Sequence, residues 1–259
     1  CQVGSMYVTE LEQNTESGVL SRKDGTLKFI DQSNDFGGWV HCAGQTTPWQ
    51  SHLGSEEYEP DARAVEENAD PVTGLTGNIY WDEVAKYWAD DISKANPYYY
   101  GWTPEVTVDP STGEGTYVKH YSMGRFAHEL AYVMPDHKTV YMSDDGTNGA
   151  LFMFVADTAE DLSAGTLYAA KWNQVSSDGT GRATLSWVDM GHTDNAAVKA
   201  LLNPDDDIAT NDALEFSDVF DTEAPQVDGS CATVGFVATN TTAGNECLKL
   251  KDVNGDAVV

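Results

Sequence analysis

The chain has 259 residues, of which 42 are acidic and 14 are basic, so its formal net charge at neutral pH is −28. A surface as acidic as this repels phosphate backbones, which argues against nucleic acid as a partner. The hydrophobic content of 41% is that of a globular protein. No apolar run approaches the ~20 residues that a transmembrane helix needs.

Strand patterns dominate the chain, as short segments rich in β-branched and aromatic residues between Gly, Pro, Asp or Asn. From 116 to 190 these segments lie close together along the chain, with turns predicted at 135–136, 145–146, 163–165 and 178–179. This cadence is typical of an antiparallel meander, as in a propeller blade or a sandwich. The predicted strands are SMYVTEL, TLKFI, GGWVHCAG, TYVKHYSM, LAYVM, KTVYMS, ALFMFVAD, GTLYAAKW and ATLSWVDM.

Helical periodicity is confined to two segments that lie between predicted strands. Residues 79–92 carry apolar side chains near a helical spacing, and residues 195–202 begin with an N-capping asparagine and stop before Asn203-Pro204. The polar segments 66–77 and 203–229 are predicted to be surface loops.

The four cysteines divide unevenly. Cys231 and Cys247 bracket a short stretch that can fold back as a hairpin and let them pair, which favours an oxidising compartment. Cys1 has no evident partner. Cys42 stands alone in an apolar segment, where a buried inert thiol is the ordinary interpretation.

A functional interpretation of Cys42 comes from its neighbours on the C-terminal side. A turn containing Gly and Pro separates it from the carboxylate pair Glu56-Glu57. If the turn brings these groups together, a thiol and two carboxylates form a mixed sulfur and oxygen metal site.

A second group of acidic residues lies further along the chain. His128-Glu129 begins one predicted strand and Asp144-Asp145 ends the next. If the two strands pair around Pro135-Asp136, Glu129 and Asp145 share one rim of the sheet, where a cation would offset their repulsion. The alternative is that Glu129 is a strand end and Asp144-Asp145 only a turn.

Several familiar catalytic motifs are missing. HELAYVMPDH has Tyr132 where the HExxH zinc motif needs its second histidine, and neither GxSxG nor GxxxxGK[ST] occurs. The acidic loop that contains Asp205, Asp206 and Asp207 does not match the EF-hand pattern.

The blocks CAGQTTPWQSHLGSEEYEPDAR and GRFAHELAYVMPDHKTVYMSDD resemble the PhoX-type alkaline phosphatases, and the similarity continues to Trp172. The resemblance implies an all-β fold, a six-bladed β-propeller with short helical insertions and a cluster of iron and calcium ions at its axial face. Residues 1–259 would form a single propeller-type domain, incomplete at both ends, that supplies only some of the blades.

The resemblance also implies roles for individual residues. By motif position, Cys42 is the thiolate ligand of Fe(III), and Glu57 and Glu129 are carboxylate ligands that complete the implied catalytic set. Asp145, with Glu56 and Asp144 behind it, is assigned to the Ca²⁺ side. The family's substrate-binding lysine has no matching position here, since neither Lys119 nor Lys171 fits, and its late block with an arginine and a glutamate does not occur.

The expected activity is metal-dependent hydrolysis of small phosphorylated substrates by a periplasmic or secreted bacterial protein. Two other hypotheses stay open: a non-catalytic secreted propeller that binds calcium, and a phosphodiesterase or phytase-like hydrolase. The sequence does not indicate the oligomeric state.

Overall fold

The computed structural model describes residues 3–146, 149–241, 244–253 and 256–257. Cys1 lies outside these ranges. Strands dominate what is described. In chain order they are β1 (Val3–Gly4), β2 (Met6–Val8), β3 (Leu11–Gln13), β4 (Leu20–Arg22), β5 (Lys28–Ile30), β6 (Gly38–Trp39), β7 (Gln45–Thr46), β8 (His52–Leu53), β9 (Thr103–Val108), β10 (Gly115–His120), β11 (His128–Val133), β12 (Thr139–Asp144), β13 (Leu151–Thr158), β14 (Asp161–Ser176), β15 (Arg182–Asp194), β16 (Phe220–Glu223), β17 (Val237–Thr241), β18 (Gly244–Leu250), β19 (Asp252–Val253) and β20 (Asp256–Ala257).

All strand pairs in the described ranges are antiparallel. The largest sheet is a five-stranded meander, β11-β12-β13-β14-β15, and beside it lies a four-stranded sheet in the order β10-β9-β8-β7. A three-stranded sheet has the order β16-β18-β17, and the remaining strands form two-stranded pairs. Antiparallel sheets with few short helices confirm the predicted all-β class. None of these sheets closes on itself.

One predicted turn is wrong. Residues 163–165 lie inside the long strand β14, and the turn before it comes earlier, where Glu160 takes a φ of 64°. Gly165 is needed for close packing, because a Cβ there would lie 2.5 Å from the carbonyl oxygen of Val155 and 2.5 Å from the ring of Phe154. The glycine therefore marks a close approach of two strands.

Four α-helices occur in the described ranges, and the longest has eight residues. The predicted helix at Asn195–Leu202 is confirmed, although its N-cap is Asp194, whose carboxylate accepts a hydrogen bond from the amide of Ala197 at 2.8 Å. None of the helices is long and apolar enough to cross a membrane. The helices are α1 (Ala62–Asn68), α2 (Ile79–Asp82), α3 (Asn195–Leu202) and α4 (Phe216–Val219).

The predicted helix at 79–92 is only partly present. After α2 the chain continues as a 3₁₀ turn, Glu83–Lys86, and then Ala89 and Asp90 take φ values of 57° and 65°. Two consecutive left-handed residues end any helix, and apolar spacing alone does not reveal them. The predicted loops 66–77 and 203–229 also contain regular structure, namely the end of α1, α4 and β16.

Two hydrophobic cores lie on either side of the segment that carries Glu56 and Glu57. One is aromatic, with Phe36 stacked on Tyr99 at a centroid distance of 3.9 Å and Trp39 packed against Tyr100. The other lies beneath the meander and includes Leu53 and residues of β11 to β14. The segment between the cores is therefore held on both sides.

Cys231 and Cys247 form a disulfide, the pairing that their spacing in the sequence allows. It ties the loop before β17 to β18, across a sequence separation of 16. A crosslink that closes a loop of this size contributes about 3 kcal/mol by restricting the unfolded chain.

We expect the double variant Cys231→Ser/Cys247→Ser to lose about 3 kcal/mol of its free energy of unfolding, measured by urea titration without reductant. With Ser230→Ala as the control, an unchanged unfolding midpoint in the double variant would contradict the prediction.

Candidate metal centre

Three side chains that are distant in sequence converge at one end of the meander. Cys42 Sγ, one carboxylate oxygen of Glu57 and one of Glu129 all lie within 4.8 Å of one another. Cys42 is exposed, Glu57 is buried and Glu129 is half-buried, so the group lies at the protein surface with Glu57 as its buried member. We call Cys42, Glu57 and Glu129 the trio. The structure thus brings together the three residues to which the family resemblance assigns the roles of iron ligands.

Backbone hydrogen bonds align the two segments that carry Cys42 and Glu57. The amide of Cys42 donates to the carbonyl of Ser55 at 3.0 Å, and the amide of Glu57 donates to the carbonyl of Val40 at 3.2 Å. An isolated antiparallel bridge pairs His41 with Glu56 between these bonds. The turn that separates the segments in sequence therefore folds them side by side.

Glu129 reaches the same place through the first hairpin of the meander. The amide of His128 donates to the carbonyl of Glu56 at 3.1 Å, which joins β11 to the Glu57 segment. The pairing of β11 with β12 shifts between His128 and Leu130, so Glu129 occupies a β-bulge. A bulge redirects a side chain away from the regular alternation, and such irregularities are frequent next to active sites.

The backbone around the trio is strained at two residues. Val40 has a φ of 25° and Tyr58 a φ of 51°, and neither is a glycine. A positive φ is a marked outlier for a β-branched residue such as valine. Val40 lies two residues before Cys42 and Tyr58 comes directly after Glu57, so the strained residues flank two of the three members of the trio. Strain of this kind persists where the surrounding structure imposes it, and it concentrates at functional sites.

The acidic groups of the trio repel one another when they are ionised. The carboxylate of Glu57, hydrogen-bonded to the thiol, raises the pKa of Cys42, and burial and the charges of Glu57 and Glu129 add to this effect. The hydrogen bond to Glu57 and the repulsion from it also raise the pKa of Glu129. A cation among these groups would remove the repulsion. A thiolate with two carboxylates is a donor set that fits iron, and its oxygens also fit calcium, so the residues present suit the implied metals.

Asp145 lies at the rim of the site. The hydroxyl of Tyr58 donates to Oδ2 of Asp145 at 2.6 Å, and the amide of Asp145 donates to the carbonyl of Ala127 at 3.0 Å. The hydrogen bond from Tyr58 and the hydrogen bonding between Asp145 and Glu57 lower the pKa of Asp145. The carboxylates of Asp145 and Glu57 raise the pKa of Tyr58. The negative charge of Asp145 also acts on Glu129. Glu129 and Asp145 therefore share one rim of the sheet, as the hairpin pattern predicts, since His128 pairs with Asp144.

Asp144 is not brought into this group. Its Oδ1 accepts a hydrogen bond from the amide of Gly146 at 2.9 Å, and its Oδ2 accepts one from the amide of Ala150 at 3.3 Å. Both carboxylate oxygens therefore bind the turn between β12 and β13.

Glu56 faces the protein interior. Its carboxylate accepts hydrogen bonds from the amides of Trp39, Gly101 and Trp102 at 2.8, 2.9 and 3.1 Å. The ammonium of Lys119 lies 2.9 Å from Oε1, and both side chains are fully buried. Burial raises the pKa of Glu56 and lowers that of Lys119, and their contact opposes both effects. This geometry makes Glu56 an internal support for the Glu57 segment, on the side away from the trio.

Sequence reasoning missed Tyr58, which belongs to the site, and the role of Lys119, which supports it from the interior. Tyr58 comes directly after Glu57, but its left-handed backbone, which directs the ring towards Asp145, leaves no mark in the sequence. Lys119 did carry a signal, because it alternates with Tyr117 and Tyr121 in a strand pattern and so falls on the buried face. A buried lysine needs an acidic partner, although spacing alone does not identify Glu56 as that partner.

Fold and site together define an antiparallel β-sheet protein with a candidate metal centre of sulfur and carboxylate donors. A family model described as "Alkaline phosphatase PhoX" matches residues 25–251, which is most of the chain. The chain therefore belongs to the PhoX alkaline phosphatase family, as the two sequence blocks indicated. Comparison with curated proteins gave no match. Comparison with solved structures gave none either.

Proposed function

We propose that this chain carries part of the active site of a metal-dependent phosphomonoesterase. The observation that carries the proposal is the convergence of Cys42, Glu57 and Glu129 within 4.8 Å. Membership of a family of alkaline phosphatases supports hydrolysis of phosphate esters as the reaction. The expected substrates are small phosphorylated molecules, and the fold of the intact protein would be a β-propeller with meanders such as β11 to β15 as its blades.

In this proposal the trio holds Fe(III), with Cys42 as the thiolate ligand and Glu57 and Glu129 as carboxylate ligands. Asp145 would contribute to an adjacent Ca²⁺ site. The bound ions would supply positive charge that attracts the phosphoryl group and polarises its oxygens, which a protein of net charge −28 otherwise lacks.

The residues of the chain have separate tasks in holding this site. Glu57 is buried and its backbone is bonded to Val40, so its carboxylate has little freedom. Tyr58 orients Asp145 through its 2.6 Å hydrogen bond. Glu56 and Lys119 hold the backbone behind Glu57. Donors fixed in this way bind a metal with less reorganisation than mobile ones.

The disulfide supports a location outside the cytoplasm, because such bonds persist in oxidising compartments. We therefore propose a periplasmic or secreted protein.

The proposal is tested with the intact protein by metal analysis and by turnover of two substrates. We expect bound iron and calcium, and hydrolysis of p-nitrophenyl phosphate well above that of bis(p-nitrophenyl) phosphate. Dialysis against a chelator should lower monoester turnover about 100-fold or more, because the metal would supply several kcal/mol of transition-state stabilisation.

Other results would select other functions. Preference for the diester would replace the monoesterase with a phosphodiesterase. Calcium-dependent melting without any turnover would indicate a calcium-binding protein that is not an enzyme. Absence of iron together with absence of monoester turnover would overturn the proposal.

A further inference from the structure

A cavity lies next to the segments that carry Cys42 and Glu57, since Val40 and Tyr58 are among the residues that line it. It has a volume of about 610 Å³, which is within the range of small-molecule sites. Aromatic side chains form much of its wall, including Trp39, Tyr58, Tyr80 and Trp81. We call this cavity the aromatic pocket.

Tyr58 connects the aromatic pocket to the candidate metal centre. It lines the pocket, it comes directly after Glu57, and its hydroxyl donates to Asp145 at 2.6 Å. The indole of Trp39 donates to the carbonyl of Tyr58 at 2.9 Å, which fixes the neighbouring wall. A molecule bound between the trio and the pocket would therefore contact Tyr58 on its way from one to the other.

Several polar side chains of the pocket make hydrogen bonds within the protein. Asn78 accepts a hydrogen bond from the amide of Tyr80 at 3.0 Å, and Asn68 donates to the carbonyl of Ala64 at 2.7 Å. Asp61 caps α1 through the amide of Ala64 at 3.0 Å. These polar atoms serve the protein, and the aromatic faces are the principal apolar binding surface of the pocket.

The charge of the pocket is acidic. Glu59 and Asp61 are its charged residues, and neither lysine nor arginine occurs among the described residues that line it. Such a pocket disfavours a second phosphate or a carboxylate, and it accepts an uncharged apolar group. Tyr80 is 64% exposed and Tyr58 is 58% exposed, so two rings stand open to a ligand at its edge.

We infer that the aromatic pocket binds the alcohol part of the phosphomonoester and selects uncharged aromatic alcohols over small polar ones. This inference rests on the proposed function and adds to it a substrate class and the residue Tyr80 as a determinant of specificity. The phosphoryl group would face the trio while the leaving group packs against the rings.

The test compares 1-naphthyl phosphate with glycerol 2-phosphate in the intact protein. We expect a higher kcat/KM for the naphthyl ester, and Tyr80→Ala should lower the ratio of the two values about tenfold, chiefly through KM of the naphthyl ester. Tyr7→Ala, which removes an exposed tyrosine from β2, serves as the matched control and should leave the ratio unchanged.

Binding of 1-naphthol, measured by quenching of intrinsic fluorescence, separates a failure of the pocket inference from a failure of the phosphatase proposal. We expect Tyr80→Ala to weaken this binding and Tyr7→Ala to leave it unchanged. If the protein hydrolyses both esters with a ratio that Tyr80→Ala does not alter, the inference is wrong and the phosphatase proposal stands. Naphthol binding without turnover of either ester would overturn both.

Discussion

Glu129→Gln is expected to abolish metal binding while leaving the metal-free fold intact. Glutamine keeps nearly the volume of glutamate but removes the negative charge that a metal ligand needs. In the metal-free protein the neighbouring Glu57 raises the pKa of Glu129, so a neutral side chain at this position relieves repulsion. We expect the iron content to fall at least ~10-fold and p-nitrophenyl phosphate turnover ~100-fold, measured by elemental analysis and kinetics.

The matched control is Glu16→Gln, which makes the same change at an exposed glutamate far from the trio. It should retain metal and activity. A urea titration of the metal-free proteins completes the test, and Glu129→Gln should unfold at the same concentration as the parent or a higher one. Normal iron content in Glu129→Gln would show that Glu129 is not a ligand, whereas an early unfolding midpoint would assign it a structural role instead.

Local pattern predicted two halves of the candidate site, and the family resemblance joined them into the trio. One turn separates Cys42 from Glu57, and the hairpin around Pro135-Asp136 places Glu129 near Asp145. The contact that joins the two halves, from the amide of His128 to the carbonyl of Glu56, is long-range and was not predicted. Strand patterns then determine which residues pair, since β11 and β12 have few alternative registers when one face is buried. The family blocks added the assignment of roles, which spacing alone does not supply.

Features that depend on distant contacts or on unusual backbone were not predictable. Whether Glu56 or Glu57 faces the interior depends on a bridge to His41 and on amides from Gly101 and Trp102, about 45 residues away. The left-handed backbone at Tyr58 is imposed by its surroundings, because tyrosine has no preference for it. The turn assigned near Gly165 fails for a related reason, since glycine serves turns and close strand contacts alike.

Lys119→Met is expected to destabilise the protein by about 3–5 kcal/mol, because it leaves the buried carboxylate of Glu56 without its cationic partner. Methionine fills most of the space of the lysine stem, so the effect is chiefly electrostatic. Lys119 also donates to the carbonyl of Tyr99 at 2.8 Å, which would lose its partner as well. The measurement is the free energy of unfolding from urea titration, with coincident fluorescence and circular dichroism transitions.

The double variant Lys119→Met/Glu56→Gln separates charge from packing. It removes the unpaired charge while the glutamine oxygen can still accept from the amides of Gly101 and Trp102, so it should be more stable than Lys119→Met alone. Lys94→Met is the control, since Lys94 pairs with Asp91 only at 4.0 Å on the surface and such pairs contribute about 1 kcal/mol or less. Equal unfolding midpoints for Lys119→Met and Lys94→Met would show that the buried pair does not hold this segment.

If the pair does hold the segment, Lys119→Met should also weaken metal binding. Glu57 directly follows Glu56 in the chain, and both residues belong to the segment that pairs with residues 40–42.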